Sequence, residues 1–223
     1  MSGADWTAVI PVKSLSAAKS RLRGAVPDFR HEDLALAMVR DTVAAVRGCA
    51  AVGDVLIVTD DPAAVAAALA LGARSVPDQP AAGLNAAMRF GADVVAGLGH
   101  RRAVLTGDLP ALRPAELAEA LAAAGPGRSF VADAVGTGTV LLTAAAGTAL
   151  DPRFGVGSAG AHAASHARPL TGAWPGLRQD VDTADDLRTV AALGVGEHTS
   201  ALLRDLGLIA ECGSSDVAGG PHR

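Results

Sequence analysis

Large side chains are scarce in this sequence. It has no tyrosine, and aromatic residues make up 3% of the chain, so a few bulky anchors cannot carry the core. Half of the residues are still apolar, with alanine dominant. Small side chains bury little area each, so stability has to come from many close helix–sheet contacts. Cysteine is rare as well. Cys49 and Cys212 lie far apart and form no ligand or redox motif, which points to a reducing compartment and to structural or incidental thiols. No apolar run is long enough for a bilayer or a signal-peptide core; residues 7–12 are too few, and residues 63–73 are short and alanine-rich. A soluble, cytoplasmic protein with no membrane partner is expected. A basic excess is also missing. The net charge of -4 argues against a nucleic-acid partner, which needs a basic face, but a local cation cluster can still hold a nucleotide.

Lysine is the scarcest cation. Both lysines fall in Val9-Ile10-Pro11-Val12-Lys13-Ser14-Leu15-Ser16-Ala17-Ala18-Lys19-Ser20-Arg21-Leu22, and every other cation is arginine or histidine. An ammonium is a compact point charge suited to a phosphate oxygen, whereas a guanidinium is a planar fork. Residues 7–12 read as a buried first strand. Lys13 and Lys19 then sit on the loop leaving its carboxyl end, where open α/β sheets bind their ligands. A phosphate site is the first inference.

Strand-like and helix-like segments alternate along most of the chain. Helical spacing covers residues 31–47, 63–71, 84–98, 114–124, 184–193 and 197–206. Buried strands are expected at 54–60, 73–76 and 102–108, and two consecutive strands at 129–135 and 139–143 around a Gly-Thr-Gly turn. Strands separated by helices demand parallel pairing and right-handed crossovers. The consecutive pair breaks that rhythm, so the fold class is α/β: a three-layer, Rossmann-like, mixed and mostly parallel sheet with helices on both faces. One domain is expected over residues 1–207. A disordered tail, 208–223, follows, and from Glu211 it is rich in Gly and Ser. No internal repeat is present.

Acidic residues complete the chemistry. Asp108 ends the strand Leu105-Thr106-Gly107-Asp108-Leu109-Pro110, on the same rim as the lysine loop. A turn-starting or helix-capping role explains it about equally well. In Gln179-Asp180-Val181-Asp182-Thr183 the two aspartates alternate with valine, so an extended segment points both to one face. Asp182 as a helix cap would leave Asp180 unexplained. Asp108, Asp180 and Asp182 together make an oxygen-ligand set suited to Mg2+. With the lysines they suggest a phosphoryl- or nucleotidyl-transfer centre. Neither a Walker loop nor a dinucleotide-binding Gly-x-Gly-x-x-Gly follows the first strand.

These residues resemble a known family. Val-Ile-Pro-Val-Lys, Ala-Lys-Ser-Arg-Leu, Thr-Gly-Asp-Leu-Pro, Gly-Thr-Gly-Thr, Pro-Arg-Phe-Gly and Asp-Val-Asp-Thr, in that order, look like the guanylyltransferases of coenzyme F(420) biosynthesis, over about residues 6 to 205. The resemblance implies a nucleotidyltransferase-like fold whose Gly-rich first loop is replaced by the lysine loop. It implies that GMP passes from GTP to a small phosphorylated acid with release of pyrophosphate. The actinobacterial branch uses phosphoenolpyruvate and the archaeal branch 2-phospho-L-lactate. Gly136-Thr137-Gly138-Thr139 and Leu170–Leu177 look more like the former. By resemblance Asp108, Asp180 and Asp182 carry magnesium, and Thr139, Gly155 and Ser158 hold phosphoenolpyruvate. Lys13, Lys19 and Arg21 serve the triphosphate, and a homodimer is common in the family. Ser158 falls where a helix to about Ala167 should begin, and free N–H groups there favour an anion.

Several readings stay open at this level. Gly83 and Asn85 either present backbone and amide groups to the guanine of GTP or are a turn and a first-turn residue. His162 and His166 share an i, i+4 spacing, but with no third ligand nearby they read as a solvated face, as do Arg101 and Arg102. The alanine-rich helices at 63–71 and 115–124 suit a dimer face or ordinary core. A sugar-nucleotide or molybdopterin-type nucleotidyltransferase and a non-catalytic, nucleotide-binding regulatory module are the competing functions.

Overall fold

Alternating apolar strands and amphipathic helices set the architecture. The computed structural model describes residues 4–16, 26–79, 81–97 and 99–210. Lys19, Arg21, Cys212 and the end of the tail, 211–223, lie outside the described residues. The elements are β1 (Trp6–Pro11), α1 (His31–Arg47), β2 (Val52–Val58), α2 (Pro62–Ala70), β3 (Arg74–Val76), α3 (Leu84–Ala96), β4 (Arg101–Leu105) and α4 (Pro114–Ala123). Then come β5 (Arg128–Ala132), β6 (Thr139–Ala144), α5 (Ser158–Ala164), β7 (Arg168–Pro169), α6 (Pro175–Arg178), α7 (Ala184–Leu193) and α8 (Glu197–Asp205).

The strands form one 7-stranded sheet in the order β3-β2-β1-β4-β6-β5-β7. β1 pairs in parallel with β2 and β4, and β2 with β3. β6 runs antiparallel to both β4 and β5, and β7 is parallel to β5. The antiparallel portion is therefore the expected consecutive pair. Its connection is too short for a crossover helix, so only antiparallel pairing can close it.

Alternate strand residues serve opposite faces. Ala8, Ile10, Val55, Ile57 and Leu105 pack with α1, α2 and α4; Val9, Leu56, Val58 and Val104 pack with α3 and α5. Small residues let these layers approach. A Cβ on Gly91 of α3 would lie 2.5 Å from Val9 Cγ1 and 2.6 Å from Val58 Cγ2. Ala64, Ala67 and Ala68 of α2 and Leu117, Ala120 and Leu121 of α4 are buried, so these alanine-rich faces are core. A third cluster, including Leu34, Met38, Val181, Leu187, Val190 and Leu203, seats α7 and α8 on α1. Asp41 of α1 caps α8 from outside by accepting the N–H groups of His198 and Thr199 at 3.0 and 2.8 Å. Leu208 still bonds back to Leu203 at 2.8 Å.

Some local expectations change. α5 stops at Ala164 rather than near Ala167, because Ser165 turns the chain and His166 takes a φ of 66°. Arg101 and Arg102 are not solvated. The Arg101 guanidinium lies 4.1 Å from the Trp6 ring centroid and donates to Ala124 O and Gly125 O, while Arg102 is buried and donates to Thr148 O. No helix among the described residues is long and apolar enough to cross a membrane.

Candidate active site

β1 and β4 are neighbours in the sheet and end on one rim, so the loops that follow them meet. A Cβ on Gly107 would lie 3.5 Å from both Ile10 Cγ2 and Val12 Cγ2, which sets the Asp108 turn against the start of the lysine loop. Lys13 is exposed on that loop. Among its described residues, Val12 N–H donates to Val58 O and Leu15 N–H to Asp61 Oδ2, both at 2.9 Å. Asp61 Oδ1 meanwhile caps α2 through the N–H groups of Ala63 and Ala64. One carboxylate thus couples the exit of β2 to the lysine loop.

The Asp108 turn is clamped from α1. Leu109 N–H donates to the buried Thr42 Oγ1 at 3.0 Å, and that hydroxyl lies 2.9 Å from Met38 O and 3.3 Å from Gly107 O. Asp108 does not cap α4, whose N-cap position is Arg113. Val181 is buried, so Asp180 and Asp182 face the other way. Nor is Asp182 the cap of α7. Thr183 takes that place in a capping box with Asp186.

Asp108 and Asp182 lie near enough to Asp180 for their charges to act on it. Burial pushes Asp180 up to about 7, and the charges of Asp108, Asp182 and Asp133 push in the same direction. Among the described residues no three His, Cys, Asp or Glu side chains already converge as a closed ligand set. Mg2+ needs no such cage, since it keeps water and phosphate oxygens in its shell. A hard cation would relieve the part of that shift which comes from the neighbouring charges, and carboxylate oxygens are the donor chemistry it takes.

The loop after β5 folds around a carboxylate. Asp133 Oδ1 accepts the N–H groups of Gly136 and Thr137 at 2.6 and 2.9 Å, and Oδ2 accepts that of Gly138 at 2.8 Å. Arg178 fastens the segment leading to Asp180 against the same place, donating to Ala132 O at 3.2 Å and Asp133 O at 2.8 Å. The Thr137 carbonyl accepts Ala159 N–H at 3.0 Å, and Ser158 N–H donates to Gly155 O at 3.1 Å. Gly155 and Ser158 are therefore neighbours through their backbones, and Thr137, two residues before Thr139, is bonded to the residue after Ser158. Gly155 has a φ of 133°, where a side chain is strained. α5 is 7 residues long, so its dipole adds little to an anion site.

His162 overturns the solvated-face expectation. It is fully buried, with Nδ1 3.0 Å from Thr139 Oγ1 and Nε2 accepting Arg153 N–H at 2.9 Å. His166 is exposed, so the i, i+4 pair does not act as a unit. Asn85 pairs with the main chain of Phe154: its Nδ2 donates to Phe154 O at 2.9 Å and its Oδ1 accepts Phe154 N–H at 2.7 Å. It staples the first turn of α3, behind the Gly83 N-cap, to the segment carrying Gly155. Sequence reasoning missed Thr42, Asp133 and Arg178. Only Asp133 carried a local signal, an Asp three residues before Gly in a turn.

The sequence pattern of the CofC-like guanylyl transferases matches residues 6–218. A phosphoenolpyruvate guanylyltransferase of Salinispora arenicola is 60% identical over 200 residues, which is 88% of this chain and 92% of that protein. Another, of Geodermatophilus obscurus, is 56% identical over 204 residues, covering 89% and 94%. A solved nucleotidyl transferase from Methanothermobacter superposes with a TM-score of 0.60 at 19% identity, covering 86% of this chain and 98% of that one. That likeness is one of fold alone.

Proposed function

The chain belongs to the CofC-like guanylyl transferase family, and on that premise we propose that it transfers GMP from GTP to phosphoenolpyruvate. The products are pyrophosphate and enolpyruvoyl-2-diphospho-5'-guanosine, an intermediate of coenzyme F(420) biosynthesis. The observation that supports this reading is the placing of Asp108 and Asp182 within reach of Asp180, with the Asp108 turn set against the start of the lysine loop. The relatives named for phosphoenolpyruvate favour that acceptor over 2-phospho-L-lactate.

An oxygen of the acceptor phosphate attacks the α-phosphorus of GTP, the bond from that phosphorus to the bridging oxygen breaks, and pyrophosphate leaves with the electron pair. A phosphate monoester is ionised near neutral pH, so no strong general base is required. What remains is positioning and charge neutralisation. Lys13, with Lys19 and Arg21, holds triphosphate oxygens and stabilises the leaving group. Asp108, Asp180 and Asp182 would hold Mg2+, which supplies charge neutralisation at the α-phosphate. Thr139, Gly155 and Ser158 orient the acceptor, and Thr42 keeps Asp108 in register.

Phosphorus NMR of protein, GTP, Mg2+ and phosphoenolpyruvate tests the reaction. A new coupled pair of diphosphate resonances, appearing in step with pyrophosphate, is expected. Unchanged GTP and phosphoenolpyruvate over folded protein would overturn the proposal.

A further inference from the structure

The buried imidazole of His162 has a definite tautomer. Arg153 N–H can only donate, so the Nε2 it meets at 2.9 Å carries no proton. A neutral imidazole then keeps its proton on Nδ1, which lies 3.0 Å from Thr139 Oγ1. The ring donates and the threonine oxygen accepts. A hydroxyl that accepts on its inner side still has its own proton to give. Among the described residues, no carbonyl or carboxylate takes a hydrogen bond from Thr139.

Nothing nearby loosens this arrangement. The rings of Phe130 and Phe154 stand 5.7 and 5.3 Å from the imidazole, centroid to centroid. Burial, with the Arg128 and Arg153 charges, holds His162 down at about 4, so the neutral ring persists through the physiological range. His162 also reaches three parts of one pocket. It holds Thr139 on β6, it holds the main chain two residues before Gly155, and it stands one helical turn after Ser158.

We propose that His162 is a positioning residue of the acceptor pocket, which makes the Thr139 hydroxyl an obligate donor toward the phosphorylated acid. The inference rests on the reading of Thr139, Gly155 and Ser158 as that pocket. The chemistry matches: ionised phosphate and carboxylate groups present only acceptors, so their recognition needs donors fixed in advance. A threonine free to rotate would offer its proton in only part of its population. One held by Nδ1–H no longer turns its proton toward the imidazole, so a larger share of it faces away from the ring.

Steady-state kinetics of His162→Gln, His162→Asn, Thr139→Val and the His162→Gln/Thr139→Val double variant test this, with folding checked by thermal melting. The glutamine amide can still accept Arg153 N–H but loses the donor to Thr139. The asparagine amide can place a donor near the Nδ1 position. Thr139→Val should raise the KM for phosphoenolpyruvate about tenfold, the loss of one bond to a charged group, and His162→Gln by about two- to threefold, the share lost to a three-well rotor, with the KM for GTP unchanged in both. His162→Asn should lie closer to wild type, and the double variant should be no worse than Thr139→Val. An unchanged KM for phosphoenolpyruvate in His162→Gln, a parallel rise for GTP, or multiplying effects in the double variant would overturn the proposal. Nitrogen-15 imidazole shifts give a reading independent of turnover. They should show the Nδ1–H tautomer, unchanged from about pH 5.5 to about pH 8, and an Nε2–H ring would overturn it. A wild-type enzyme silent with phosphoenolpyruvate would strike down the proposed function instead, while the tautomer still stands or falls by its shifts.

Discussion

Asp180 is a carboxyl group that burial and the charges of Asp108 and Asp182 push up to about 7, from an ordinary value of 3.8. Between those two values the metal-free folded state keeps a proton that the unfolded chain has released. The contribution of Asp180 to stability therefore falls as pH rises through that window, and the loss is complete above about 7. His162, held down at about 4, slopes the opposite way up to its ordinary 6.5, so the Asp180 contribution is read by difference. In a chelator, the melting point of wild type minus that of Asp180→Asn should fall across this window. A difference that rises toward neutrality would contradict the shared acidic site. Asp182→Asn is expected to lower Mg2+-dependent turnover by about a hundredfold or more with an unchanged circular dichroism spectrum and melting point. Near wild-type activity in that variant would defeat the metal assignment. At this scale the nearness of Asp108, Asp180 and Asp182 was legible, because alternation about Val181 and a position after a buried strand are local patterns. His162 was not. An i, i+4 pair does not say which member turns inward, and the packing of α5 on Phe130 and Thr139 decides it.

Elements ended where local chemistry told them to, with instructive exceptions. Asp182 looked like a cap because an Asp before a helix is a good one, yet Thr183 and Asp186 form the reciprocal pair and outcompete it. β7 and α6, of 2 and 4 residues, are too short to show any periodicity. The cap of α8 is long-range: its N-cap is Gly196, and the carboxylate of Asp41 comes from α1. No sequence window around α8 contains it. Asp41→Ala should leave two amide N–H groups at the start of that helix without their carboxylate and cost about 1–3 kcal/mol in urea unfolding. A midpoint equal to wild type would mean that the cap is redundant.

Over the whole molecule, strand–helix alternation made the parallel sheet legible, and the Gly-Thr-Gly turn made its antiparallel part legible. The strand order was not. β6 enters between β4 and β5, a pairing that no local pattern announces. This order joins the loops after β1 and β4 on one rim with the turn between β5 and β6, where Arg178 holds the approach to Asp180. The layers depend on close approach, so Gly91→Ala should destabilise by about 1–3 kcal/mol through overpacking, outweighing a helix-propensity gain of about 1 kcal/mol. Unfolding of that variant at a higher denaturant midpoint than wild type would show that α3 has room to move.

Pyrophosphate release from GTP, compared with phosphoenolpyruvate, 2-phospho-L-lactate and 3-phosphoglycerate as acceptors, tests the central claim most directly. Release that requires both Mg2+ and phosphoenolpyruvate is the predicted result. Release with 2-phospho-L-lactate alone, or none with any acceptor from folded protein, would contradict it.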